Sequence, residues 1–348
     1  MRTEIYKIPD LNAPDNDIIN SAARCINRGG LVVFPTETVY GLGADATNAE
    51  AVSSIFTAKG RPSDNPLIIH IAAPEDADKY SYTSELYYKL AERFMPGPLT
   101  VIMKSRENIP AKTRGGLDTV AVRCPESVIA RELIRASGVP IAAPSANLSG
   151  TPSPTTADHV IADMTGRVDI IIDGGSCDFG LESTIVKIED DSTLTLLRPG
   201  KITIEQLRSV APIKVADAVT NMLKEGEIAL SPGMKYRHYA PKAPLMLFDG
   251  DIFSLAEYIS SFSDKKIAII AYDEDCEKIK NLLPDITLYM FGKRSDAITQ
   301  AHNLFAILRE ADVCNYDEIY APLPDTDGVS LALYNRMIRA AAHKIIRL

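Results

Sequence analysis

The chain has 348 residues, more than one hydrophobic core usually supports, so two domains are expected. With 46% hydrophobic and 24% charged residues it has the balance of an ordinary soluble globular protein, and its formal net charge of −9 disfavours a main task of gripping nucleic-acid backbone. The N-terminal stretch MRTEIYKIPD lacks the apolar core of a signal peptide and no apolar run approaches the ~20 residues of a membrane span, which points to a cytosolic protein without a membrane role.

In chain order, the 3.6-residue spacing of Ile18, Ile19, Ala22, Ala23 and Ile26 predicts a helix that stops at Gly29 and Gly30. Short apolar runs then recur as predicted strands: LVVF from Leu31, PLIIHI from Pro66, LTVIM from Leu99, TVAV from Thr119, PIAA from Pro140, DIIID from Asp169, STIVKI from Ser183 and LTLL from Leu194. The later ones follow one another without helices, so the α/β pattern predicts a twisted mixed sheet over residues 1–210. The rhythm breaks over 211–243. This stretch ends in SPGMKYRHYAPKAP, whose prolines and glycine bracket cations and aromatics and read as a linker. Beyond it, LMLF, KIAIIAY, ITLYMF and EIYAPL alternate with predicted helices at 255–262, 297–308 and 329–345, giving a smaller Rossmann-like, doubly wound α/β domain over 244–348.

Several chemistries fall away at once. The five cysteines, Cys25, Cys124, Cys177, Cys276 and Cys314, are odd in number, far apart and without CxxC, which fits reduced thiols. The five histidines show no HExxH, so a transition-metal centre built by the protein is not expected. GLGADA from Gly41 matches a dinucleotide fingerprint with Asp64 about 20 residues on, but Asp64 falls before the next strand instead of at its far end. A tight turn with small residues in close packing is the better reading. No Walker loop is present, and Ser145 lacks a nucleophile elbow.

What remains is a set of polar residues at strand and helix ends, where α/β proteins collect ligands. PTETVYGLG sets Thr36, Glu37, Thr38 and Tyr40 after a buried strand, although hydroxyls capping a turn would look the same. In KGRPSDNP, Lys59 stands at a helix end, where it also suits the helix dipole, and the proline after Arg61 stiffens the loop that aims its guanidinium. His70 closes the next strand and alone reads as a core histidine. Arg123 ends an otherwise apolar strand and needs a partner, either a carboxylate of the fold or a bound anion. APSANLSGTPSPT contributes Ser145, Asn147, Ser149 and Ser153, and GLESTIV and LLRPG add Ser183 and Arg198. Four cations with hydroxyls between them suit a triphosphate beside a small zwitterion.

Together PTETVYGLG, KGRPSDNPL, PGPLTVIM, TVAVRCP, PIAAPSANLSG, ESTIV and LLRPG, in this order, resemble the YrdC-like catalytic domain of threonylcarbamoyl-AMP synthases, over roughly the first 200 residues. SPGMKYRHYAP and the α/β tail resemble the long, two-domain form. The resemblance implies conversion of L-threonine, bicarbonate or CO2, and ATP to L-threonylcarbamoyl-adenylate and diphosphate, a nucleotidyltransferase reaction. The adenylate is then used by the separate tRNA threonylcarbamoyl transferase machinery, so direct tRNA binding by this chain is left open. It further implies that Lys59 and Arg61, as a KxR pair, are catalytic at the nucleotide, with Ser145 and Asn147 as an SxN pair beside them. Asn65, Thr119, Ser153 and Arg198 fall at ATP, and Thr38, His70, Arg123, Ala143 and Ser183 at threonine. Mg2+ is expected with the ATP phosphates. Tyr236 and His238, with Arg237, are expected to reach the nucleotide as a lid. Two rivals stand beside this reading: a non-catalytic RNA-binding module on the same fold, with salt-sensitive tRNA binding, and a carbamoyl-transfer enzyme with another acceptor.

Overall fold

The computed structural model describes residues 2–63, 65–190, 192–221, 239–262 and 264–348. The chain divides into two compact units, Met1–Ser149 with Ser153–Lys235, and Gly150–Pro152 with Tyr236–Leu348.

The first unit contains the strands β1 (Glu4–Lys7), β2 (Val32–Phe34), β3 (Gly41–Asp45), β4 (Ile68–His70), β5 (Leu99–Lys104), β6 (Thr119–Arg123), β7 (Ile141–Ala142), β8 (Ile170–Asp173), β9 (Thr184–Ile188), β10 (Leu194–Arg198) and β11 (Ile213–Val215). They form a sheet in the order β1-β8-β2-β3-β7-β4-β6-β5-β9-β10-β11. Pairing is mixed, as the sequence predicts: β1 with β8, β8 with β2, β4 with β6, β5 with β9 and β10 with β11 are parallel, while β2/β3, β3/β7, β7/β4, β6/β5 and β9/β10 are antiparallel.

The first predicted helix forms at Asn16–Asn27, started by Asp15, whose carboxylate accepts from Asp17 N at 2.8 Å and Ile18 N at 3.4 Å. Its Ile19, Ala22, Ala23 and Ile26 join Val32, Phe34, Leu133, Ile134, Ile141 and Ile172 in one buried cluster. This burial of apolar area is what holds the helix, and that at Val128–Ser137, to the sheet. A second cluster gathers Ile68, Ile102, Ala121, Ile185 and Leu197 from five adjoining strands.

Two details differ from the sequence reading. GLGADA is not a tight turn but supplies β3, and the expected close packing falls inside the sheet: a Cβ on Gly43 would lie 2.7 Å from both Phe34 and Ile141. The stretch read as linker begins later than residue 211, because Ile213–Val215 pair in parallel with β10.

The second unit is a parallel sheet of β12 (Leu245–Asp249), β13 (Ile267–Ala271), β14 (Thr287–Met290), β15 (Glu318–Pro322) and β16 (Ile345–Arg347), in the order β14-β13-β15-β12-β16. Helices Ile252–Ser260, Asp273–Leu282, Ala297–Val313 and Ser330–Ala340 connect the strands. The helix expected at 329–345 ends at Ala340, because Ala342 and His343 adopt positive φ (49° and 60°), and the chain turns back to form the edge strand β16. Among the described residues, no helix is long and apolar enough to cross a membrane.

Candidate active site

The polar loop after β2 is shaped by one hydroxyl. Thr36 Oγ1 donates to Val39 O at 2.6 Å, accepts from the backbone N–H groups of Thr38 and Val39 at 3.2 Å, and lies 2.8 Å from Thr38 Oγ1. Thr36, Glu37 and Thr38 are all buried. Backbone bonds then tie this loop to two others. Phe179 N donates to Glu37 O and Gly180 N to Thr38 O, while Leu42 N donates to Pro144 O, Ala146 N to Tyr40 O and Tyr40 N to Pro154 O, all at 2.8–3.1 Å. Loops at 35–40, 143–155 and 177–183 are thereby stitched into one wall.

Helix Ala49–Lys59 starts at Asn48, which caps Glu50 N and Ala51 N, and stops at Gly60, whose φ of 61° is the left-handed conformation that glycine supplies. Lys59 is its last residue and is 3% exposed. Its ammonium donates to the carbonyl of Ser145, to Asn147 O at 2.6 Å and to Asn147 Oδ1 at 3.3 Å, and Ser145 Oγ donates to the same Oδ1 at 2.6 Å. The KxR and SxN segments, 86 residues apart for Lys59 and Ser145, are therefore one constellation. Arg61 follows at half-burial, its backbone N–H on Phe56 O. Asn65 is 1% exposed, and neither atom of its amide has a hydrogen-bond partner among the described residues. Leaving such a group unmatched costs about 1–3 kcal/mol.

β4 and β6 run parallel with His70 beside Arg123, and Ala143 N donates to Ile68 O at 3.0 Å. Arg123 Nη2 lies 2.6 Å from Glu37 Oε1, and its Nε donates to Gly97 O at 3.4 Å. Of the two partners the sequence left open for Arg123, the fold supplies the carboxylate. Burial, and then the charge of Arg123, lower the His70 pKa to about 3, so its imidazole is neutral. Ser183 is wholly buried, 2.7 Å from Thr100 Oγ1, and Arg198 donates to it twice, Nε to the carbonyl at 3.0 Å and Nη2 to Oγ at 3.1 Å. Ser153 Oγ donates to Glu182 Oε1 at 2.5 Å.

The structure thus links Lys59, Ser145 and Asn147 through the stitched wall to Thr38, Ala143, Arg123 and His70, and to Ser153, Ser183 and Arg198. Thr119 stands at the opposite end of β6 from Arg123, four residues or about 13 Å away. Asn65, just before β4, lies at that same end of the parallel pair. Tyr236, Arg237 and His238 lie outside the described residues. Glu37 and Glu182 were not among the expected ligand contacts. Glu37 did lie inside a quoted motif, and an acid following a buried strand, with Arg123 in want of a partner, was the available signal; Glu182 gave none beyond its place before Ser183.

Burial pushes the thiol of Cys124 up to about 12 and raises that of Cys177 as well, which disfavours a thiolate at either. Among the described residues, no three His, Cys, Asp or Glu gather to hold a metal ion. The carboxylates at hand, Glu37 and Glu182, already bind Arg123 and Ser153.

Fold and site together define an α/β protein whose buried cations and hydroxyls, drawn from distant segments, meet along the ends of a mixed sheet. Comparison with known proteins narrows this class. The Sua5/YciO/YrdC family model, which carries the description telomere recombination, matches residues 24–200, and the model of the threonylcarbamoyl-AMP synthase C-terminal domain matches residues 202–342. Threonylcarbamoyl-AMP synthases of Pyrococcus abyssi and Bacillus subtilis are 43% and 42% identical, over 94% and 97% of this chain and 95% and 96% of their own. The crystal structure of P. abyssi Sua5 complexed with L-threonine superposes with a TM-score of 0.90 at 41% identity, covering 99% of this chain and 100% of that one. The chain belongs to the Sua5/YciO/YrdC family, in its two-domain form.

Proposed function

We propose that this chain is an L-threonylcarbamoyladenylate synthase, joining L-threonine, bicarbonate or CO2, and ATP into L-threonylcarbamoyl-AMP with release of diphosphate, a nucleotidyl transfer that feeds N6-threonylcarbamoyl modification of tRNA adenosine. The observation that carries this reading is the match, along nearly the whole of both chains, to a relative crystallised with L-threonine.

In this reading Lys59 and Arg61 serve the nucleotide's phosphates, with Ser145, Asn147, Asn65, Thr119, Ser153 and Arg198 around ATP. Thr38, His70, Arg123, Ala143 and Ser183 surround threonine. The amine of threonine, once deprotonated, adds to CO2 to give a carbamate, whose oxygen attacks the α-phosphorus as diphosphate leaves. No protein nucleophile is needed, which suits a site whose thiols are held protonated. Catalysis then rests on alignment and on fixed positive charge facing the phosphates. Lys59 suits both tasks, because the carbonyls of Ser145 and Asn147 hold its ammonium in place. A neutral His70 can exchange a hydrogen bond with a hydroxyl without adding charge. Mg2+ would arrive on the phosphates, and no step is routed through it. The adenylate would pass to a separate threonylcarbamoyl transferase.

Incubation with ATP, labelled bicarbonate and each amino acid in turn tests the reading. Label is expected in an adenylate with threonine alone, with equimolar diphosphate. Arg61→Ala is expected to lower turnover by about 100-fold or more while leaving the unfolding midpoint near that of the parent. Near-normal diphosphate release by that variant would count against the scheme.

A further inference from the structure

Arg123 and Glu37 form an ion pair away from water, their side chains 5% and 4% exposed and Nη2 2.6 Å from Oε1. Removing two charges from water costs several kcal/mol each, recovered only when the remaining donors and acceptors also find partners. One acceptor has none: Glu37 Oε2 is buried without a hydrogen-bond partner among the described residues. Among the described residues, Arg123 on Oε1 is the cation paired with this carboxylate. Thr38 Oγ1 is occupied by Thr36 Oγ1, His70 is neutral, and the thiols of Cys124 and Cys177, which feel the charge of Glu37, are protonated.

A carboxylate with one oxygen on a guanidinium and the other unmatched is complementary to an ammonium. The guanidinium beside it has five N–H groups in a planar fork and can take a second carboxylate. An α-amino acid carries those two charges on adjacent carbons. We propose that Glu37 is a specificity-determining residue for the amino-acid substrate: Oε1 holds Arg123 for the substrate carboxylate, and Oε2 receives the substrate's α-ammonium. The inference rests on the threonine-binding reading above. It explains why an acid is built into a site otherwise rich in cations and hydroxyls, and it makes the free amine, not only the side chain, a condition of binding.

The test compares L-threonine with its deaminated analogue, in which a hydroxyl replaces the α-amine, by calorimetric titration of the full chain without ATP. A charge-assisted hydrogen bond of about 1.5–3 kcal/mol predicts a preference of about 10- to 100-fold for threonine in the parent protein. Glu37→Gln is expected to reduce that preference to about threefold or less, and loss of packing alone would weaken both ligands equally. An unchanged preference in a folded Gln variant overturns the proposal. Glu37→Asp keeps the charge but withdraws it by one methylene; should Gln not fold, Asp is expected to weaken threonine about tenfold and the analogue hardly at all, and equal losses overturn the proposal. A parent protein that binds neither compound defeats the threonine reading itself, a result distinct from a parent that discriminates and a variant that discriminates just as well.

Discussion

His70 shows how one residue carries two consequences of burial. Its imidazole stays neutral in the fold, because desolvation and the neighbouring Arg123 lower its pKa from 6.5 to about 3. In the unfolded chain it regains its ordinary pKa and binds a proton below about 6.5. The unfolded state thus holds more protons between pH 6.5 and 3, so this residue's contribution to stability is full above pH 6.5 and is lost progressively as the pH falls toward 3. Urea unfolding at pH 7 and pH 5 should show the parent losing on the order of 2 kcal/mol more than His70→Asn over that interval; parallel losses would refute the assignment. Taken alone in the sequence His70 reads as a core histidine and only the family resemblance sets it at threonine; the fold adds its place beside Arg123 on a parallel strand. Lys59, Ser145 and Asn147 drew notice in the sequence because their loop chemistry exceeds what a turn requires, and the fold brings these three together. Glu37 stayed out of the expected contacts although its motif was in view, because the sequence does not say which acid meets Arg123, 86 positions away.

At the level of elements, LLRPG illustrates what a motif conceals. Its arginine was read as a ligand cation, whereas Gly200 is the residue the backbone cannot replace. A Cβ there would lie 2.5 Å from Thr184 N and 2.9 Å from Glu182 O, inside the segment that presents Ser183. Gly200→Ala is therefore expected to push β9 and the turn after β10 apart, costing about 1–3 kcal/mol in denaturant unfolding and lowering activity together with stability. Gly60 is the contrasting case. Its φ is 61° but nothing lies within 4 Å of an added Cβ, so Gly60→Ala should cost only the left-handed backbone strain, about 1 kcal/mol. A larger cost at Gly60 than at Gly200 would contradict this account. Helix starts such as Asp15 and Asn48 were readable because capping is local chemistry. Strand β3 was not, because glycines in a strand look like a turn until Phe34 and Ile141 are seen pressed against them.

For the whole molecule, alternating helices and strands announced an α/β architecture with a second sheet, and both were there to be read. The strand order was not, since pairing depends on residues far apart in the chain. The proposed ligand contacts within the described residues all belong to the first unit. Hydrogen exchange with ATP and threonine present should accordingly slow amides at 35–40, 143–149 and 179–183 and along β4 and β6, leaving β12–β16 at their ligand-free rates; protection confined to β13 and β15 would point to a different site. One feature of the first sheet reaches into synthesis itself. β8, residues 170–173, is the strip between β1 at 4–7 and β2 at 32–34. While a ribosome is still making the middle of this polypeptide, its opening strands have no permanent neighbour on that side, and the backbone edges they turn to it must wait for an arrival more than a hundred and thirty residues behind. A nascent chain halted before that point keeps those edges open to pairing with other chains, and pausing between those segments would lengthen their exposure.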